Sequence, residues 1–243
     1  MHGLASLLVW IVWQVLLVVW TPVVALALVS TAWWDRRRWI TGRVFRFGAR
    51  ILVGLNPYWK VRWEGPIPAR GEHPFVAVAN HESLADIVLI GTLPVDMKWL
   101  SKSSIFRAPF LGLMMRMSGD VPVRRNDPDS RSESYQALKQ WIDRGASVMI
   151  FPEGTRSRTP EMLPFKNGAF RLAIETGRPI QPLAVAGTRN AIEKGSMKFG
   201  RADVVVRVLD QVSTEGMGSE SIEELRLKVR GLVEEARQDL AAR

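Results

Sequence analysis

His81 is one of three histidines in the 243-residue chain, and it alone directly follows a run apolar enough for a buried strand, within FVAVANHESLADIVLI. Asp86 stands five residues further on. On one continuous helix the two side chains would diverge by ~140°. They meet if His81 lies in a loop and a helix begins between them, with Ser83 as N-cap and Asp86 in the first turn. An Asp that accepts from one imidazole nitrogen leaves the other as a general base. The spacing alone better fits a loop histidine beside a helix-stabilising aspartate, and context must supply the rest.

A second set lies in SVMIFPEGTRSR, residues 147–158. Gly154 permits a tight turn with open backbone N–H groups, and Arg156 offers a forked donor suited to phosphate oxygens. Glu153 is placed to hold that arginine or to bond a substrate hydroxyl. A third set, GDVPVRR at 119–125, again runs from strand to cations, and Lys102 and Lys166 stand beside further element ends. His81, Lys102, Arg125 and Arg156 all fall just past expected strand ends. Ligand crevices of open α/β sheets lie at that edge, so one basic crevice containing a His–Asp pair is the economical reading.

The elements that must position these residues are legible as short apolar runs alternating with amphipathic ones. Strands are expected at 61–63, 75–79, 98–101, 121–123, 147–151, 180–186 and 204–209, and helices at 84–93, 110–117, 132–144, 168–176 and 222–241. Ser221 and Glu224 form a capping-box pattern ahead of the last helix. Residues 126–134 and 214–219 read as polar loops. The expected class is α/β, a mixed, mostly parallel sheet flanked by helices.

Residues 3–34 carry no charged side chain, and as a helix these 32 residues would reach ~48 Å, beyond the ~30 Å hydrocarbon core of a bilayer. Pro22 predicts a kink or break near Thr21. Residues 36–63 then hold eight basic side chains: Arg36, Arg37, Arg38, Arg43, Arg46, Arg50, Lys60 and Arg62. Ile40, Val44, Phe47, Ile51 and Leu55 project on one arc and the arginines on another. That is a basic amphipathic helix suited to a headgroup layer, with Trp33, Trp34, Trp39, Tyr58 and Trp59 as interfacial aromatics. A basic face on a helix packed against the globular part is the competing reading. The chain thus divides into membrane-anchoring helices, 1–56, and a catalytic domain, 57–243, with the arginine end on the cytoplasmic face of the inner (plasma) membrane.

In order, NHESLAD (80–86), GDVPVRR (119–125), FPEGTRSR (151–158) and RPIQPLAVAG (178–187) resemble the four motifs of the glycerolipid acyltransferases, most closely the 1-acyl-sn-glycerol-3-phosphate (lysophosphatidate) acyltransferases. The resemblance implies that His81, oriented by Asp86, deprotonates the sn-2 hydroxyl of lysophosphatidate. The oxygen then attacks the thioester of acyl-CoA or acyl carrier protein, giving phosphatidate. It implies acceptor binding by Glu153, Gly154, Thr155 and Arg156, with Arg156 on the phosphate, Arg125 closing the second motif and Lys102 a further cation. The family's N-terminal two-helix hydrophobic anchor is similar in character to residues 3–55. Many members carry an acidic residue where this chain has Arg124, which opens another lysolipid, such as a lyso-ornithine lipid, as the acceptor. A non-catalytic lipid-binding protein is the alternative of a different class.

Composition agrees. With no cysteine, disulfides, thiolate metal sites and a Cys acyl-enzyme are excluded, and scattered histidines predict no metal site. No resident cofactor is expected, only the thioester co-substrate. The net charge of +9 is expected to meet anionic membrane lipid and a phosphorylated acceptor; no nucleic-acid-binding module is recognisable.

Overall fold

The computed structural model describes residues 2–68, 73–192, 195–196 and 198–242. Two helices, α1 (His2–Thr31) and α2 (Trp39–Gly54), precede a seven-stranded sheet of order β1-β7-β6-β2-β5-β3-β4. The strands are β1 (Trp59–Glu64), β2 (Val76–Ala79), β3 (Met97–Lys102), β4 (Val121–Val123), β5 (Ser147–Ile150), β6 (Ile180–Ala186) and β7 (Ala202–Val208). β6, β2, β5, β3 and β4 run parallel; β7 is antiparallel to β6 and parallel to β1. The mixed, mostly parallel sheet expected from the pattern is therefore observed, and each expected strand has a counterpart.

The central strands are apolar throughout because both faces are covered. Along β2, Val76 and Val78 enter one core with Leu138 and Ile142 of α5 (Pro128–Asp143), Leu172 of α6 (Gly168–Thr176) and Val229 of α7 (Ile222–Ala241). Ala77 and Ala79 point the other way, to Leu89 and Ile90 of α3 (Ala85–Ile90) and to Trp13 of α1. The period-2 alternation of a strand thus separates the two helical layers.

Several local expectations change. α1 is continuous through Pro22, and the Thr21 hydroxyl donates to Leu17 O at 2.7 Å just before it. One side of α1 (Ser6, Trp13, Thr21, Val24, Thr31) is buried against the domain, while Leu4, Leu8, Ile11, Val15, Val19 and Val29 face outward. The Ser221–Glu224 capping box does not form, because Ser219–Ser221 is a 3-10 turn that leaves Ser221 with near-helical backbone. The loop expected at 126–134 is short: α5 starts at Pro128, and Asp127 accepts from Ser130 N at 3.1 Å. A polar stretch with an Asp cap and Pro at the first position is a helix start as well as a loop signal.

The largest correction concerns α2. Its arginines turn to the catalytic domain rather than to a headgroup layer. Arg38 donates to Arg116 O at 2.8 Å and Met117 O at 3.3 Å, carbonyls in the last turn of α4 (Leu111–Ser118). Arg43 donates to Pro94 O and Arg50 to Thr92 O at 2.9 Å. Arg46 pairs with Asp120 at 2.6 Å. A helical projection separates a basic arc from an apolar one but does not say which meets the domain; unpaired carbonyls at element ends are good partners for guanidinium. Trp59, expected at a lipid interface, is buried in the core, whereas Trp33 is 80% exposed.

Candidate active site

β2 stops at Ala79, and the next side chain takes over its ladder. Asn80 donates to Val185 O and accepts from Val185 N, both at 2.8 Å. The backbone is then free to leave the sheet at His81. Asp86, fully buried, faces back: its Oδ2 lies 2.9 Å from His81 Nδ1 and accepts the N–H groups of Glu82 at 2.7 Å and Ser83 at 2.9 Å. An ionised carboxylate only accepts, so the Nδ1 nitrogen carries the proton and Nε2 presents the lone pair. The dyad expected from the spacing is formed. Ser83 is not the cap, however. Leu84 precedes the first helical residue, and the Ser83 hydroxyl donates to Ile192 O at 2.7 Å. The imidazole stacks on Phe151, centroids 4.0 Å apart at 16°. Nothing in the spacing of FPEGTR marks Phe151 for this part.

The loop after β5 encloses His81 from the second side. Glu153 Oε1 accepts His81 N at 2.7 Å and Oε2 accepts Leu163 N at 3.0 Å, while Ser157 N donates to His81 O at 2.9 Å. Burial pushes the Glu153 carboxyl up to about 7, against those two N–H bonds, which favour its charged form. Each oxygen of Glu153, the residue expected to hold Arg156 or a substrate hydroxyl, is engaged by loop backbone.

Gly154 has φ +71°, which favours glycine, and the Lys166 side chain lies close against it, 2.9 Å from where a Cβ would stand. Lys166, which the sequence marks only as a helix start, thus joins the PEGTR turn. Thr155 is exposed and Arg156 half-buried. Arg125 has its pKa held down by burial and by the nearby charge of Arg156, so the two guanidiniums share one neighbourhood. Lys102 is the exposed last residue of β3, in register with Val123 of β4. Arg124 is exposed and paired with Asp127 at 2.7 Å.

His81, Glu153, Lys102 and Arg125 therefore follow or end β2, β5, β3 and β4, which are consecutive in the sheet and parallel. Three strand spacings separate the first from the last, ~14 Å. No group of three or more His, Asp or Glu that could hold a metal ion occurs among the described residues.

A cavity of about 400 Å³ lies between α1, α2, α3 and α4, lined by Trp20, Leu52, Leu84, Val88, Trp99 and Met115 among others. Leu84 belongs to the His81 loop, and Trp99 packs on Phe151, centroids 5.9 Å apart. An apolar chamber thus reaches the ring on which the His81 imidazole stacks.

A parallel α/β sheet that carries a His–Asp dyad and a PEGTR turn at its carboxyl edge defines an acyltransferase-type domain. The acyltransferase family model matches residues 60–186, more than half of the chain, and the chain belongs to that family. A 1-acyl-sn-glycerol-3-phosphate acyltransferase of Saccharomyces cerevisiae is 34% identical over 200 residues, 79% of this chain and 63% of that protein. One from Salmonella typhimurium is 32% identical over 187 residues, 76% of this chain and 74% of that protein. A chloroplastic one of Brassica napus is 38% identical over 146 residues, 59% of this chain but 42% of its own length. The chain spans less than two thirds of the length of several such relatives. The crystal structure of the 1-acyl-sn-glycerophosphate (LPA) acyltransferase PlsC of Thermotoga maritima superposes with a TM-score of 0.84 at 28% identity, covering 100% of this chain and 97% of that one.

Proposed function

We propose that the chain transfers an acyl group from a thioester, acyl-CoA or acyl carrier protein, to the sn-2 hydroxyl of lysophosphatidate, forming phosphatidate. The observation that carries this is the 2.9 Å bond of His81 Nδ1 to buried Asp86, which leaves Nε2 as the base. Nε2 takes the hydroxyl proton as the oxygen attacks the thioester carbonyl. Collapse of the tetrahedral intermediate breaks the C–S bond, and the imidazolium returns the proton to the departing thiolate. Asp86 stabilises the imidazolium between the two steps. General-base catalysis of this kind contributes ~10²–10⁴-fold, with positioning of the two substrates supplying more.

Arg125 and Arg156 bind the acceptor phosphate, with Lys102 as a further cation, and Thr155 and the Gly154 turn border the headgroup. The shared neighbourhood of Arg125 and Arg156 favours a phosphate acceptor over another lysolipid. The apolar cavity takes an acyl chain. No resident cofactor takes part. α1 is long and apolar enough to cross a membrane, yet one side of it is seated along the domain. Its outward apolar side therefore lies in a single leaflet, on the cytoplasmic face, with exposed Arg36 beside anionic headgroups.

Purified full chain, assayed for free thiol with acyl-CoA or acyl carrier protein thioester and a panel of lysolipids, tests this. Lysophosphatidate is the expected acceptor, and the folded His81→Ala variant is expected to release no thiol above background. Turnover with lyso-ornithine lipid alone would replace the acceptor; near-wild-type turnover by His81→Ala would overturn the mechanism.

A further inference from the structure

The helix at the end of the chain reaches the catalytic loop, although it lies outside the residues that match the family. Glu82, the neighbour of His81, is buried; its backbone N–H is spent on Asp86 and its side chain runs toward α7. There Glu82 Oε1 meets Arg237 Nη1 at 3.3 Å, with Arg189 Nη2, from the turn after β6, at 3.8 Å. Arg237 is itself aligned by Glu234, at 2.6 Å. On the same face of α7, Arg230 donates to Met162 O at 3.2 Å and Arg226 to Phe165 O at 3.3 Å, both in the stretch that follows the PEGTR turn. Positions 226, 230 and 237 are spaced i, i+4, i+11, which returns to one side of a helix. One helix therefore grips both loops that enclose His81.

Charge gives this grip a chemical consequence. Three buried carboxylates surround the imidazole: Glu82, Asp86 and Glu153. Only Asp86 bonds the ring. Any further uncompensated negative charge would favour imidazolium, the form that cannot act as a base. Burial, and then the charge of Asp86, push the Glu82 carboxyl upward, while Arg189 and Arg237 act against that shift. The cations that face Glu82 are Arg189, beyond β6, and Arg237 on α7, the latter shared with Glu234.

We infer that Arg237 is a positioning residue for the reaction, which through Glu82 fixes the His81 loop against the C-terminal helix and cancels the charge that would otherwise hold the imidazole protonated. This rests on His81 as the general base. Arg237 touches neither substrate nor the reacting atoms; it acts on the loop and on the proton affinity of the ring.

The test uses the full chain in detergent micelles with 13Cε1-labelled histidine. The chain has three histidines, and loss of one resonance in His81→Ala assigns that of His81. In Arg237→Ala the titration midpoint of this resonance is expected to move to higher pH by about one unit, and the acid limb of kcat/KM with it, tenfold in rate per unit. Arg237→Lys keeps both near wild type. Adding Glu82→Gln to Arg237→Ala restores the midpoint. If Arg237→Ala does not fold, Glu82→Gln alone serves: with Arg237 unopposed, the midpoint moves down. Unmoved midpoints in these variants, with only the melting temperature lowered, overturn the proposal. Because the resonance needs no turnover, wild-type thiol release with unmoved midpoints sinks only Arg237. Moved midpoints in a chain that transfers no acyl group sink only the acyltransferase reading.

Discussion

Glu153 Oε1 accepts the backbone N–H of His81 at 2.7 Å across 72 residues of sequence. With the reciprocal bond from Ser157 N to His81 O, both backbone polar groups of the histidine are held by the PEGTRS loop. The first and third motifs are thus one structural unit: the PEGTRS loop sets where His81 stands.

Glu153→Gln tests that unit through pH. The folded carboxyl, raised to about 7 from its ordinary value of 4.5, keeps its proton between those values, where the unfolded chain has lost it. Its contribution is full at the low end of this window and falls as pH rises through it, on the order of 1–3 kcal/mol in all. Gln does not titrate and turns an NH₂ toward one backbone donor. The stability deficit of the variant is therefore expected to be larger at pH 5 than at pH 8 in urea melts, with kcat lowered throughout.

Asp86→Asn keeps the shape and removes the charge that stabilises imidazolium. A fall in kcat of order 10²–10⁴-fold is expected from thiol-release assays, by analogy with other His–carboxylate pairs. Equal turnover by the variant would show that the carboxylate serves the loop alone.

Arg125→Ala and Arg156→Ala should each raise KM for lysophosphatidate by about tenfold or more, the loss of one charge-assisted bond. Arg124→Ala should leave KM unchanged and shift stability by less than about 0.5 kcal/mol, since that guanidinium is an exposed partner of Asp127. Assaying the three variants side by side separates the acceptor site from the strand that leads to it.

Arg46→Ala leaves buried Asp120 with Trp99 N, at 3.0 Å, as its remaining bond of those described. Stranding a buried carboxylate costs about 3–5 kcal/mol. Thermal unfolding in detergent should show that loss, and the further change Asp120→Asn should recover part of it.

Much of this was legible in the chain because strand identity is local. VAVA and SVMI can be little else than buried strands, and their carboxyl ends lead to His81 and to the PEGTR turn. The His81–Asp86 pair is equally local, needing only a helix start between its members. What could not be read were partners chosen by tertiary proximity. No spacing rule joins Glu153 to His81, or Arg237 to Glu82. The arginines of α2 show the same limit: amphipathicity set them apart from the apolar arc, but the free carbonyls that receive them belong to α4 and to the loop after α3. Pro22 misled for a related reason, since a lost backbone donor ends a helix only where nothing else holds the turn, and α1 is packed on the domain along one side.

The clasp between Asn80 and Val185 has a kinetic consequence. The Val185 amide proton is held by the Asn80 side chain, at the head of the His81 loop, rather than by the peptide of a neighbouring strand. Its exchange with deuterated solvent therefore requires that the loop let go, even while β6 remains paired with β7. One backbone proton becomes a clock for how often the Asn80 side chain, next to His81 in the chain, lets go of the sheet.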